Sequence, residues 1–153
     1  MASLGINSKL YYNSATFGTP TWVELSNVRE LNADSSWDEG DASTRASPVK
    51  MFEPTQLNLE LSGQMQADQS VNYLLMQTKY YARTLVDVMC LDGASDDTGS
   101  EGYRFEGKIF GWTEDQGPGV VNYRAFTIKP CASANPPKSV VVTAGAPVYT
   151  SIT

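Results

Sequence analysis

Apolar and polar residues alternate with a period of two along most of the chain, the mark of strands whose successive side chains face opposite ways. In the run from Leu57 to Met65, Leu57, Leu59, Leu61 and Met65 fall on one face with Gly63 in step. Asn58, Glu60, Ser62 and Gln64 fall on the other. One face belongs to a core, and the other meets water or a polar channel. Val28 to Glu39 repeats the pattern, with Leu31, Ala33, Ser35 and Trp37 set against Glu30, Asn32, Asp34, Ser36 and Asp38. Its polar face carries three carboxylates and no base.

Shorter strands are expected over Leu4–Tyr12 and, after a turn rich in Asn, Ser, Gly and Pro, from Trp22 to Leu25. The β-branched and apolar run Thr84–Leu91 predicts a buried strand. Tyr103–Trp112 and Val120–Pro130 flank a turn over Thr113–Gly119 that contains Gly-Pro-Gly. Apolar positions in both strands slip phase: Tyr103, Phe105 and Ile109 are odd, Phe110 and Trp112 even. In the second, Val121, Tyr123 and Ala125 are odd, Phe126 and Ile128 even. Such a slip predicts a β-bulge, or a strand covered on both faces along part of its length.

One segment follows a helical period. Over Asp68–Ala82, the residues Val71, Leu74, Leu75, Thr78 and Ala82 recur at helix spacing, and Tyr73, Tyr80 and Tyr81 widen the stripe. A single helix packed on the sheet is expected, with Asp68 as its N-cap. Two connections stand out. Gly40–Pro54 has no clean period and is roughly fifteen residues long, where hairpin connections usually take 2–5; Met51 and Phe52 give it apolar handles. Asp92–Gly102 is acidic, but its spacing fails the calcium-loop pattern, and it is read as a solvated loop. After the linker Ala132–Pro137, the segment Lys138–Thr153 is either an arm that adds a strand to itself or to a neighbour, or a loosely ordered tail.

Composition narrows the function. The chain has 153 residues, which suits one domain with a core that needs no metal or disulfide. Histidine is absent, which removes the commonest general base and metal ligand and every Ser-His or Cys-His nucleophile pair. A net charge of -6 argues against a phosphate-neutralising groove. Charged residues make up 18%, fewer than a monomer bathed in water commonly shows and in keeping with a subunit covered by neighbours. Cys90 sits in an apolar run and reads as a small hydrophobe; Cys131 follows a strand, and no metal spacing joins the two. No apolar run approaches the roughly 20 residues of a membrane-spanning helix, and the N-terminus does not read as a signal peptide, so the chain is expected to be made and kept soluble in the cytoplasm until assembled. No catalytic set, metal set or cofactor motif emerges.

The order of elements is strand, acidic strand, long polar loop, alternating strand, helix, strand, loop, hairpin. Within it lie Trp22-Val23-Glu24-Leu25, Val28-Arg29-Glu30-Leu31, Glu39-Gly40-Asp41-Ala42-Ser43-Thr44-Arg45, Leu57-Asn58-Leu59-Glu60-Leu61, Leu91-Asp92-Gly93 and Phe126-Thr127-Ile128-Lys129-Pro130. Together these resemble the major tail tube proteins of long-tailed (siphovirus-type) bacteriophages, over residues 4–131. The string Glu-x-Asp-x-Ser-Thr-Arg is the most distinctive.

The resemblance implies a mainly β fold, a small β-barrel or sandwich with one flanking helix over residues 1–131, and leaves 132–153 as a C-terminal arm or tail. It implies a non-enzymatic virion protein, a homo-oligomer whose hexameric rings stack into a hollow tube, with tape-measure and tail-terminator proteins as partners and neither cofactor nor membrane. DNA would pass through without specific binding. The loop 39–54 would reach the next ring, with Asp41, Thr44, Arg45 and Lys50 at the rim and Met51 and Phe52 as anchors. Glu30, Asp34, Asp38 and Glu60 would line the lumen. Three other readings keep a place: the inner tube of a contractile injection or secretion machine, a carbohydrate-binding sandwich stacking sugars on Trp22, Trp37 and Trp112, and an enzyme pairing Asp34, Asp38 and Glu60 as glycosidases do.

Overall fold

The computed structural model describes residues 8–115 and 121–152. The start of the first expected strand, Leu4 to Asn7, and the Gly117-Pro118-Gly119 turn with Val120 lie outside them. The described residues form ten elements: β1 (Lys9–Asn13), β2 (Trp22–Glu24), β3 (Val28–Asp41), β4 (Phe52–Gln66), α1 (Val71–Ala82), β5 (Val86–Leu91), β6 (Glu101–Asp115), β7 (Tyr123–Pro130), β8 (Lys138–Thr143) and β9 (Ala146–Ser151). The strands make one antiparallel sheet in the order β2-β1-β5-β6-β7-β4-β3, with β8 on the N-terminal half of β6 and β9 outside β8. The sheet curls until β3 approaches β6, where the Ser35 and Tyr103 hydroxyls lie 3.3 Å apart.

The alternation over Leu57–Met65 is realised: Leu59, Leu61, Gly63 and Met65 are buried on the concave side. The core gathers Leu10, Tyr12, Val88, Phe105, Ile109, Phe126 and Ile128 around Leu61 and Met65. Cys90 packs against it, and both cysteines are free thiols. Strand β6 has to pass close to neighbours on both edges. A side chain at Gly102 would collide with the carbonyl oxygen of Cys90, and one at Gly107 with that of Lys129. The expected phase slip in β6 is a bulge, since the register with β7 shifts between Ile109 and Gly111. In β7 there is no slip. Arg124, Phe126 and Ile128 are buried in strict alternation, so the inward series is even throughout and begins with an arginine.

The helix differs from expectation in two respects. It begins at Val71, and its N-cap is Ser70, whose hydroxyl accepts the N–H of Tyr73. The Asp68 carboxylate accepts the N–H of Ser70, outside the helix proper. The buried side is Tyr73 and Met76, not Val71, Leu74 and Thr78, which are exposed. Tyr73 and Tyr80 both pack on Trp112, with ring centroids 5.8 and 6.0 Å apart. The aromatic platform on β6 thus decides which side of the helix turns inward.

Residues 138–151 form a hairpin whose first strand pairs with Glu101–Arg104 of the same chain. It covers a second cluster of Tyr11, Met89, Leu91, Val140 and Val142. Arg104, only 2% exposed, fastens this side. Its guanidinium lies 2.7 Å from Asp87, donates to the carbonyl of Phe17, and stacks 3.7 Å from the Phe17 ring and 4.6 Å from that of Tyr149.

Candidate assembly surface

Strands β3 and β4 are far longer than the sheet they join. β4 pairs with β7 only through Leu61–Gln66, and residues 52–60 have β3 alone as strand partner. Leu59 is still buried, and Trp37 and Leu57 border a groove with Pro130, Pro137 and Ile152, so the arm proper is residues 52–56 with the strand opposite and the connection beyond, about 15 Å of strand at about 3.3 Å per residue. The expected loop 39–54 is shorter as a loop. Residues 39–41 and 52–54 belong to the strands, with Asp41 opposite Phe52, and the irregular connection is 42–51.

Each expected tip residue lies on this arm. The Asp41 carboxylate accepts the N–H of Ser43, and hydrogen bonding to the Ser43 side chain first and its backbone second holds its pKa below the ordinary value. Thr44 and Arg45 are exposed in the connection, where the carbonyl of Thr44 accepts the N–H of Ser47. The Lys50 ammonium lies 5.3 Å from the Phe52 ring centre. Met51 and Phe52 are 52% and 51% exposed.

Register sorts the arm into two faces, because residues opposite each other across an antiparallel pair share a side. Asp34 faces Glu60, Ser36 faces Asn58 and Asn32 faces Ser62, so this side is polar. Asp38 joins it by accepting from the Asn58 amide at 2.7 Å. Glu30 does not follow the series. It sits in a bulge between Arg29 and Asn32 with φ 53, an exposed residue outside the regular alternation. The polar side also holds bases that counting within β3 misses. Lys129 is 3.7 Å from Glu60, and Arg29 donates to Gln64 while lying 3.5 Å over the Tyr123 ring. Acids dominate along the arm, and bases appear where it meets the body.

The opposite face brings Ala33, Ser35 and Trp37 beside Leu61, Leu59 and Leu57, and continues to Phe52. It is the core face of the sheet carried beyond the core. Trp37 is 53% exposed, which corrects the reading that it sits in the interior. Trp22 is half-buried, its N–H donating to Tyr149, and Trp112 is under the helix. The three indoles therefore form no common sugar platform. Asp34 and Glu60 do stand opposite each other, on an open strand surface rather than in a cleft.

Several strand edges lack a partner among the described residues, the outer edges of β2 and β9 included, and two of them lie on opposite sides of the curled sheet. One is the outer edge of β3. The other is β6 beyond Gly107, where pairing with β5 stops. Beside that second edge is a groove of about 560 Å³, lined by Tyr80, Tyr81, Arg83, Lys108, Phe110 and Cys131. Phe110 is the residue at the bulge and is 58% exposed. Sequence reasoning placed its phase slip without seeing that the slip turns an aromatic outward.

No protein-family model matches the chain, and no curated protein matches its sequence. Solved structures do. The tail of an empty GTA particle, refined with C6 symmetry, superposes with a TM-score of 0.69 at 9% identity over 86% of this chain and 96% of that one. The SPP1 tail tube gives 0.69 at 8% identity over 98% and 80%. The baseplate of the anti-feeding prophage, 6-fold symmetrised, gives 0.57 at 8% identity over 94% and 98%. The chain has the tail-tube fold, as the resemblance led us to expect.

Proposed function

We propose that this chain is a structural, non-enzymatic subunit of a phage-type tail tube, with copies joined edge to edge into rings that stack around a channel for DNA. The observation that carries the reading is the pair of free strand edges on opposite sides of one sheet, with an arm projecting from it. An open edge recruits other strands. Two different edges on one molecule make a head-to-tail contact that closes into a ring or runs on as a helix. Six subunits per ring is the expectation supported by the C6 symmetry of the GTA tail. The arm, with Asp41, Thr44, Arg45, Lys50, Met51 and Phe52, would contact the next ring. Tape-measure and terminator proteins would complete the tail, and the subunit's place would be the virion.

The acidic side of the arm, Asp34, Asp38 and Glu60, with Glu30 at its root, would face the channel. DNA releases counterions when it meets lysine and arginine, and a basic wall would hold it. A wall with an excess of carboxylates lets it slide. The likeness to the anti-feeding prophage baseplate keeps a second reading in view, a tube of a contractile machine. The same edges and arm would serve there with different cargo.

Negative-stain microscopy of the purified protein across a concentration series, beside its solution mass, tests the reading. Rings or hollow tubes are expected. Replacing residues 42–51 with an Asn-Gly turn keeps Asp41 opposite Phe52 in a regular hairpin. That variant should keep the fold and lose stacking. A strictly monomeric protein at every concentration, with no tubes after long incubation, would overturn the reading.

A further inference from the structure

The arm's apolar face and the groove beside β6 are both uncovered in one copy, and their charges are opposite. On the arm, Trp37, Leu57 and Phe52 share a face, and the carboxylates of Glu39 and Asp41 on the same face are exposed. In the groove, Tyr80, Tyr81 and Phe110 supply aromatic surface, and Arg83 and Lys108 supply two cations. Neither cation is in a salt bridge among the described residues. The one carboxylate near them on the same strand, Glu106, is already held by the Asn135 amide at 2.8 Å. The groove also adjoins the free edge of β6, so a strand added there would carry its own side chains to the groove.

We infer that the groove of Tyr81, Phe110, Arg83 and Lys108 is the seat for the apolar face of the arm of a second copy of this chain. Trp37 and Phe52 are the anchors, and Glu39 and Asp41 answer the two cations. Aromatic anchors in a desolvated pocket with charges at the rim are the usual source of affinity at such contacts. Within one copy the arm and the groove line separate hollows, Trp37 and Leu57 bordering Pro130, Pro137 and Ile152 instead of Tyr81 and Phe110. The contact therefore joins different copies and propagates. The inference rests on the assembly reading above and names the surfaces that meet.

Cys131 provides the test, since its half-buried thiol lies in the groove. Burial pushes the Cys90 thiol up to about 12, so Cys90 stays protonated and silent toward a maleimide at neutral pH. Labelling of Cys131 with a small maleimide is measured in the dilute subunit and in assemblies seen by microscopy. A fall in rate of about tenfold or more on assembly is expected when the groove is filled. In parallel, Trp37→Ala and Tyr81→Ala should each raise the concentration needed for assembly about tenfold, and the double variant should raise it little further, because the two act on one contact. Both residues are exposed, and circular dichroism of the dilute variants confirms that they fold. If assemblies form while Cys131 labels as fast as in the subunit, or while the two substitutions multiply independently, the seat is overturned and the tube reading stands. If no assemblies form at any concentration, both fall.

Discussion

The inner and outer halves of the β3–β4 hairpin share one sequence pattern and have opposite fates. In the inner half, Leu61 and Met65 alternate with Ser62 and Gln64, and the apolar members are 1% exposed or less. In the outer half, Leu57 alternates with Asn58 across from Trp37, and Trp37 is 53% exposed. The alternation states which way a side chain points. Whether anything covers it depends on what lies opposite, which is β7, α1 and the curled sheet in one case and only the margin of an open groove with Pro130, Pro137 and Ile152 in the other. Continuing a core face past its core is costly for a monomer, since apolar surface left in water forgoes about 25 cal/mol per Å². Within one copy Trp37 and Phe52 keep about half their surface in water, and on the proposed assembly reading a neighbour would cover them.

The contrast is tested most severely where the body is polar inside. Asp87→Ala leaves Arg104 buried and unpaired among Phe17, Trp22 and Tyr149. A buried pair broken on one side commonly costs about 3–5 kcal/mol. Urea unfolding of the unassembled subunit should show a loss of that size, and detachment of the β8–β9 hairpin should appear as faster amide exchange over residues 138–151. A loss under about 1 kcal/mol, the usual worth of an exposed pair, would mean that water reaches Arg104 and that this side of the body is as open as the arm.

A more direct comparison puts the same substitution in both halves. Leu61→Ala removes a side chain packed by Met65, Phe126 and Ile128 and should cost about 2–5 kcal/mol. Leu57→Ala, four residues earlier on the same face, should cost under about 1 kcal/mol in the dilute subunit. Assembly should rank them the other way: Leu57→Ala should weaken it more than its small effect on folding explains. Equal costs in the subunit would show that the arm folds back onto the body in solution and that its exposure is not the resting state.

How far these halves could be told apart beforehand follows from what periodicity measures. The run Leu57–Met65 was legible because burial and alternation coincide there, and the bulge in β6 because Phe110 breaks step with Ile109. The inward series of β7 was misread because its first member is Arg124, and counting apolar residues cannot find a buried arginine. The helix was found, and Leu75, Tyr73 and Tyr80 of its expected stripe do face the core, but Val71, Leu74 and Thr78 do not and Met76 was missed. Trp112 on a distant strand receives Tyr73 and Tyr80 and turns the inner face toward them. The free edges and the groove were not legible at all. They arise from strand order and from where the pairing of β5 stops at Gly107, and neither leaves a local trace in the sequence.

The smallest effect concerns the entry to α1, where Asp68 and Ser70 are both capping residue types and only one caps. Ser70→Ala removes the acceptor for the Tyr73 N–H and should cost about 1 kcal/mol, as N-cap losses typically do. Asp68→Asn should cost less, because its carboxylate accepts from Ser70 and Asn27, before the helix starts. Acid separates the two residues further. Hydrogen bonding to Ser70, with Asn27 adding to it, holds the Asp68 pKa below its ordinary 3.8. A depressed carboxylate contributes stability that is complete above its unfolded value and is lost as pH falls through its folded value. The difference in stability between the parent chain and Asp68→Asn should therefore be constant from pH 7 to about 5, begin to fall near 3.8 and vanish only below the lowered folded value, whereas the Ser70→Ala difference should persist, since a hydroxyl does not titrate there. If instead the Ser70→Ala difference collapses in acid together with that of Asp68→Asn, the two residues act as one unit. The helix would then begin where the carboxylate does, and Asp68 would be the cap after all.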